Sequence, residues 1–209
     1  MKIVKPIVSI ILGTRPEAIK LVPIIKSFSE CEKVHTRIIS TGQHREMVNQ
    51  VMELFDLKVD KDLNIMRINQ SLNYITQKVL EGLDEEFQKF RPSLVLVQGD
   101  TSTAFTGALC AFYKGIPIGH IEAGLRTNVL NDPFPEEANR RLISQIATLH
   151  FAPTEESKVN LINANVSGDI HITGNTVIDS LFMISKKALT PVSLENKYEL
   201  SILKLTLIF

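Results

Sequence analysis

Apolar runs of strand length alternate with amphipathic stretches along almost the whole chain. Residues 7–12, 36–41, 94–97, 116–121, 149–152 and 170–173 are rich in apolar and β-branched side chains, the signature of strands buried on both faces. Between them the apolar positions recur every three or four residues. Leu72, Ile75, Val79, Leu83 and Phe87 form one such stripe in a helix predicted over 71–90. Further helices are predicted from Thr14, over 43–55, 102–114, 136–147, 155–164 and 176–188. Thr14 and Glu17 have capping-box spacing, and Pro16 falls in the first turn, where its missing N–H is harmless. Pro23, inside the same helix, should kink it, at a cost of ~3 kcal/mol. Gly115 is well placed to end the helix before it. Residues 56–70 are polar and carry no pattern of their own. Strands alternating with helices predict a doubly wound α/β fold around a parallel sheet.

The pattern changes near the end. Residues 190–197 read as a polar linker with Pro191, and 200–209 as one more apolar strand. That strand either adds to the sheet or opens a second domain; the second reading is preferred, because a domain seldom ends on an unpaired hydrophobic edge. The expected division is a domain over 1–188, then a linker and an orphan strand of a truncated second domain over 189–209. Length and composition fit this: 209 residues, 44% hydrophobic and 22% charged, suit one good-sized globular unit. Lys plus Arg equals Asp plus Glu at 23 each, for a net charge of zero, so no bulk field favours nucleic acid. Cys31 and Cys110 lie far apart, with no CxxC and no metal-ligand spacing elsewhere. Cys110 reads as a small core residue. The absence of an 18-residue apolar stretch or a signal-like start makes a soluble cytoplasmic protein the simplest reading.

The candidate chemistry follows the strands, at the edge where open α/β sheets bind ligands. After the first strand, Gly13-Thr14-Arg15-Pro16-Glu17 opens a helix whose N–H groups could hold an anion, with Arg15 and Lys20 adding charge; the alternative is an ordinary capped helix. The turn is neither GxGxxG nor GxxxxGK[ST], which disfavours dinucleotides and P-loop chemistry. Asp100 is either a base or a helix cap. Glu122 follows a strand directly and has no helix to cap, so a partly buried functional carboxylate is favoured, with Arg126 a candidate partner. Glu136 and Glu137 precede Arg140 and Arg141 by four residues, which predicts two helix-surface ion pairs. His44 and His120 lie near strand ends and could reach the site; His35, His150 and His171 read as surface or satisfied positions. No GxSxG elbow is present.

Six segments taken together resemble the non-hydrolysing UDP-N-acetylglucosamine 2-epimerases: GTRPEAIKLVPI (13–24), TGQHREM (41–47), QGDTST (98–103), HIEAGLRT (120–127), PFPEEANRR (133–141) and ITGNTVIDSL (172–181). The resemblance runs in order to about residue 187. It implies the amino-terminal Rossmann-like domain of a glycosyltransferase-B fold, with the active site in a cleft between two domains. It implies interconversion of UDP-N-acetylglucosamine and UDP-N-acetylmannosamine for envelope or capsular polysaccharide synthesis. The sugar's C2 hydrogen is not acidic, so the implied route eliminates UDP to give 2-acetamidoglucal and adds it back with C2 inverted. By motif, Asp100, Glu122 and Glu136 are the acid/base and sugar-site carboxylates, Arg15 and Lys20 line the cleft, and Arg140 supports Glu136. Gln43, His44 and Gln70 match an activator subsite that binds a second UDP-N-acetylglucosamine in some bacterial members. No cofactor and no metal are implied; the partners are a UDP-sugar and, in intact members, a second copy of the chain.

The chain departs from the pattern in three places. Asn69 stands where a glycine is frequent, and Gln98 where a histidine is. The second domain, with its His-Arg-Arg-Glu-like motif and most uridine and diphosphate contacts, does not follow. A truncation, a frameshift or a split gene would each produce this, and the chain alone is expected to be weak or inactive. Two other readings stand beside this one: a hydrolysing relative that releases N-acetylmannosamine, and a non-catalytic module pairing with an intact epimerase.

Overall fold

The computed structural model describes residues 5–127 and 129–188. Seven parallel strands, β1 (Ile7–Leu12), β2 (His35–Ser40), β3 (Lys61–Asp62), β4 (Leu94–Gln98), β5 (Ile118–Ile121), β6 (Leu149–Ala152) and β7 (Asp169–Ile172), form one sheet in the order β3-β2-β1-β4-β5-β6-β7. The helices are α1 (Arg15–Ser29), α2 (Arg45–Leu54), α3 (Leu72–Lys89), α4 (Ser102–Tyr113), α5 (Glu136–Ile146), α6 (Glu155–Asn163) and α7 (Thr176–Ala188). This is the doubly wound α/β fold that the alternation predicts.

Alternation along the central strands divides the core into two layers, because successive side chains in a strand leave opposite faces. Val8, Ile10 and Leu12 of β1 pack with Leu21, Val22 and Ile25 of α1 and Val51 of α2, whereas Ile11 packs on the other face with residues of α3 and α4. Leu96 of β4 joins the first layer, and Val95 and Val97 join the second. Cys110 is buried in the second layer, and burial pushes its thiol up to about 11, so it is an inert core residue.

Helix α1 contains Pro23, which is buried. Two elements differ from the pattern. Strand β5 starts two residues later than the apolar run, after Pro117, which has no N–H to give a ladder. The polar stretch 56–70 contains β3, a two-residue edge strand too short and too polar to carry a periodic signal. The linker and apolar strand expected over 189–209 lie outside the described residues. Among the described residues, no helix is long and apolar enough to cross a membrane.

Helix α7 brings the far end of the fold back to its start. Ser180 Oγ donates to the Ile19 carbonyl of α1 at 2.5 Å, and Met183 and Ile184 pack on the α1 layer. The turn after β7 is thereby held near the turn after β1.

Candidate active site at the carboxyl edge of the sheet

The chain leaves β1 towards β2 on one side and β4 towards β5 on the other. The loops after β1 and β4 therefore diverge and leave a crevice, the place where such sheets take ligands. Gly13 closes β1 where a Cβ would collide with the hydroxyls of Thr41 and Thr103, so only glycine lets the three segments meet. Those hydroxyls lie 3.2 Å apart, and Thr103 Oγ1 donates to Gln43 Oε1 at 2.9 Å.

Glu122 occupies the end of β5 in a left-handed conformation (φ 62°), an uncommon geometry for a non-glycine residue and one that collects at functional sites. Its carboxylate accepts from Lys20 Nζ through both oxygens (2.8 and 2.6 Å), from Gln98 Nε2 (2.5 Å) and from Asn175 Nδ2 (2.9 Å). The partner is thus Lys20 and not Arg126, whose guanidinium donates to the Leu125 carbonyl and Ser144 Oγ. Four residues of separation suggested Arg126, but sheet topology puts α1 across the crevice from β5. Gln98 and Asn175 join the site beyond the expected residues. The signal was available, since both stand at the carboxyl ends of strands.

Asp100 does not cap a helix. Thr101 does, accepting from Ala104 N at 3.0 Å. Asp100 pairs instead with Arg140, and Asn139 Nδ2 holds the Asp100 carbonyl at 2.9 Å. Burial raises the Asp100 carboxyl above its ordinary value; Arg140 opposes this, while the charges of Glu122 and Glu136 reinforce it. The Glu122 and Glu136 carboxylates therefore both lie within electrostatic reach of Asp100.

Of the two pairs expected on α5, Glu137–Arg141 forms and Glu136–Arg140 does not among the described residues. Arg140 bonds Asp100 and Glu137 (3.2 Å) and makes no ion pair with Glu136 among the described residues. Glu137 is not on the helix surface. It is fully buried and accepts from Arg141 Nε (2.6 Å) and from the Thr127 backbone N–H (3.0 Å), while Arg141 also donates to the Thr127 carbonyl (2.8 Å). The loop after β5 folds back over α5 and covers it, which no local pattern encodes.

At the first turn, Arg15 is exposed and has no ion pair among the described residues. The backbone anion site expected beside it is already filled. Glu17 is buried, and one of its oxygens accepts from Gly13 N (3.0 Å) and Thr14 N (2.7 Å) while the other accepts from Thr101 Oγ1 (2.7 Å). Burial raises the Glu17 carboxyl, and these donors partly offset it.

His120 is buried below the site, with Nε2 2.7 Å from the Gly99 carbonyl, and burial pushes it down to about 4. His150, beside it in the sheet, is also buried and bonds the Ser167 carbonyl. His44 caps α2, and its backbone N–H donates to the Gly13 carbonyl. Gln70 Nε2 reaches the Gln43 carbonyl at 3.4 Å, so Gln43, His44 and Gln70 gather beside the β1 turn. Asn69 stands at φ 55°, which asparagine tolerates well enough to replace a glycine.

Residues 26–204 match the model of the UDP-N-acetylglucosamine 2-epimerase family. The crystal structure of UDP-GlcNAc 2-epimerase from Neisseria meningitidis bound to UDP-GlcNAc is similar with a TM-score of 0.86 and 49% identity, covering 91% of this chain and 51% of that one. The Methanocaldococcus jannaschii UDP-GlcNAc 2-epimerase, in complex with UDP-GlcNAc and UDP, gives 0.84 and 36%, covering 91% and 52%. A lipopolysaccharide outer core galactosyltransferase shares the fold alone, at 0.60 and 13% identity over 81% of this chain and 45% of that one, so the domain is glycosyltransferase-B-like. The chain spans about half the length of the curated relatives it matches, 45–51% of the first two. The chain belongs to the UDP-N-acetylglucosamine 2-epimerase family.

Proposed function

We propose that this chain forms the carboxylate-bearing, amino-terminal half of the site of a UDP-N-acetylglucosamine 2-epimerase. The observation that carries the reading is the convergence of Asp100, Glu122 and Glu136 at one crevice, with Lys20 and Arg140 paired to two of them. In the proposed reaction a base removes the C2 proton and the C1–O bond breaks, with UDP leaving as an anion and 2-acetamidoglucal forming. Re-addition of UDP then follows, with a proton delivered to the opposite face of C2. Such a reaction needs carboxyl groups that hold and release protons near neutrality. Burial and its carboxylate neighbours raise Asp100 against the pull of Arg140, the direction that favours holding a proton. Glu122, fixed by three donor side chains, offers a carboxylate in a set position. Lys20 and the exposed Arg15 supply positive charge towards a departing diphosphate. Gln43, His44 and Gln70 are proposed to contact a second UDP-sugar next to the same turn. All of these groups lie within residues 5–188.

The test is release of UDP and 2-acetamidoglucal from UDP-N-acetylglucosamine, measured with the chain alone and with the carboxyl-terminal half of a relative supplied separately. Release is expected with the second half present, and Glu122→Gln should reduce it by about 10²–10⁴-fold, the usual worth of a positioned acid or base. Near-wild-type turnover in that variant would remove Glu122 from the mechanism. No release under either condition would overturn the proposed activity.

A further inference from the structure

The site is built on two turns, one after β1 that carries Arg15 and Lys20 and one after β4 that carries Asp100. Hydrogen bonds between the two converge on one buried side chain, Glu17. One carboxylate oxygen takes the Gly13 and Thr14 N–H groups, and the other takes the Thr101 hydroxyl. Thr101 directly follows Asp100, and its hydroxyl also accepts from Ala104 N at the start of α4. A helix cap needs only the first set of bonds. The bond to Thr101, 84 residues away, has no part in capping. It is also unusual to bury a carboxyl so completely that burial dominates its proton affinity, since such burial costs free energy unless the group is well paired.

We propose that Glu17 is a positioning residue that sets the spacing between the cationic turn and the Asp100 turn. The proposal rests on the epimerase reading above for its catalytic consequence. Glu17 touches no substrate. It acts through Thr101 on Asp100 and through Thr14 on Arg15, so its loss should be felt in the chemical step more than in binding. A displacement of about 1 Å between reacting groups can cost about 10²-fold in rate.

Two variants separate this role from capping. Thr101→Val leaves the Gly13 and Thr14 bonds intact and removes the inter-turn bond together with the α4 cap, a cap loss worth about 1 kcal/mol. Glu17→Gln keeps the shape but replaces an acceptor oxygen with a donor amide. In the assembly that turns over UDP-N-acetylglucosamine, both are expected to lower kcat by about 10²-fold with KM changed less than threefold, and Thr101→Val to lose only the roughly 2–4 °C of melting temperature that an α4 cap is worth. In the chain alone, amide NMR of Thr101→Val should show shifts at Gly13 and Thr14, across the crevice from the substitution. Unchanged kcat in Thr101→Val, or NMR shifts confined to the β4 turn, would overturn the proposal. Equal losses in kcat and stability would reduce Glu17 to a cap. If the wild-type assembly shows no turnover, the epimerase reading fails and the catalytic role with it, while the NMR result still reports separately on the coupling.

Discussion

His120 illustrates how a single buried ring can govern both geometry and acid tolerance. Its Nε2 holds the carbonyl of Gly99, the residue before Asp100, and no water reaches the ring. Burial holds its proton affinity down, from 6.5 to about 4. The unfolded chain therefore takes up a proton near pH 6.5 that the folded chain refuses until about pH 4. The stability that this difference provides is fully present above pH 6.5 and is lost as the pH falls towards 4, up to about 3 kcal/mol in all. His120→Gln cannot titrate, so its denaturant midpoint should fall less than that of wild type between pH 7.5 and pH 5. Equal falls would show that the ring is not the source. At this scale the sequence revealed residue types better than partners. Glu122 stood out because a carboxylate directly followed an apolar strand with no helix to cap, whereas its true partner, Lys20, lies 102 residues away and could be found only from the strand order. Glu17 was legible as a cap and illegible as a bridge, for the same reason.

Elements were easier to read than contacts. Strands β1 and β6 fall where the apolar runs place them, and α7 starts and ends on the predicted residues, because elements buried in a two-layer core must announce themselves in hydrophobic pattern. Helix α5 shows the limit. Its Glu-Glu-x-x-Arg-Arg spacing reads as solvated pairs, yet the loop from β5 folds back and seals Glu137 beneath Thr127, Arg140 and Arg141. The expected consequence is a division of labour between two arginines. Arg15→Ala should leave the melting temperature unchanged and reduce turnover, because Arg15 is exposed and makes no ion pair among the described residues. Glu137→Ala should destabilise the domain by about 3 kcal/mol, the lower range for breaking a buried pair, since Arg140 keeps Asp100 as a partner. Arg141→Ala should cost less than that, its side chain being 43% exposed. Thermal melts of the three variants, set beside their turnover, check the ranking; a large stability loss in Arg15→Ala would mean that this side chain supports the fold.

At the scale of the whole molecule, the described domain offers its carboxylates and cations along one rim of the sheet. A diphosphate bound there from one side keeps much of its hydration, and the gain from an enclosed, water-poor cleft is forgone. The chain alone is accordingly expected to bind UDP weakly, with Kd no better than about 1 mM, or roughly −4 kcal/mol. Calorimetric titration checks this, and micromolar binding would show that the amino-terminal rim suffices. The resemblance made the fold and the crevice legible from six short segments, but long-range closure was not among them. That closure depends on Asn175 and α7 returning to Glu122 and α1. Its consequence lies in biosynthesis. Asn175 follows Glu122 by 53 residues, which a ribosome needs roughly 3 to 10 s to add at about 5–20 residues per second. Until Asn175 is made, Glu122 has Lys20 and Gln98 as its donors and lacks the third. The site is thus completed by one of the last segments of the domain to be made.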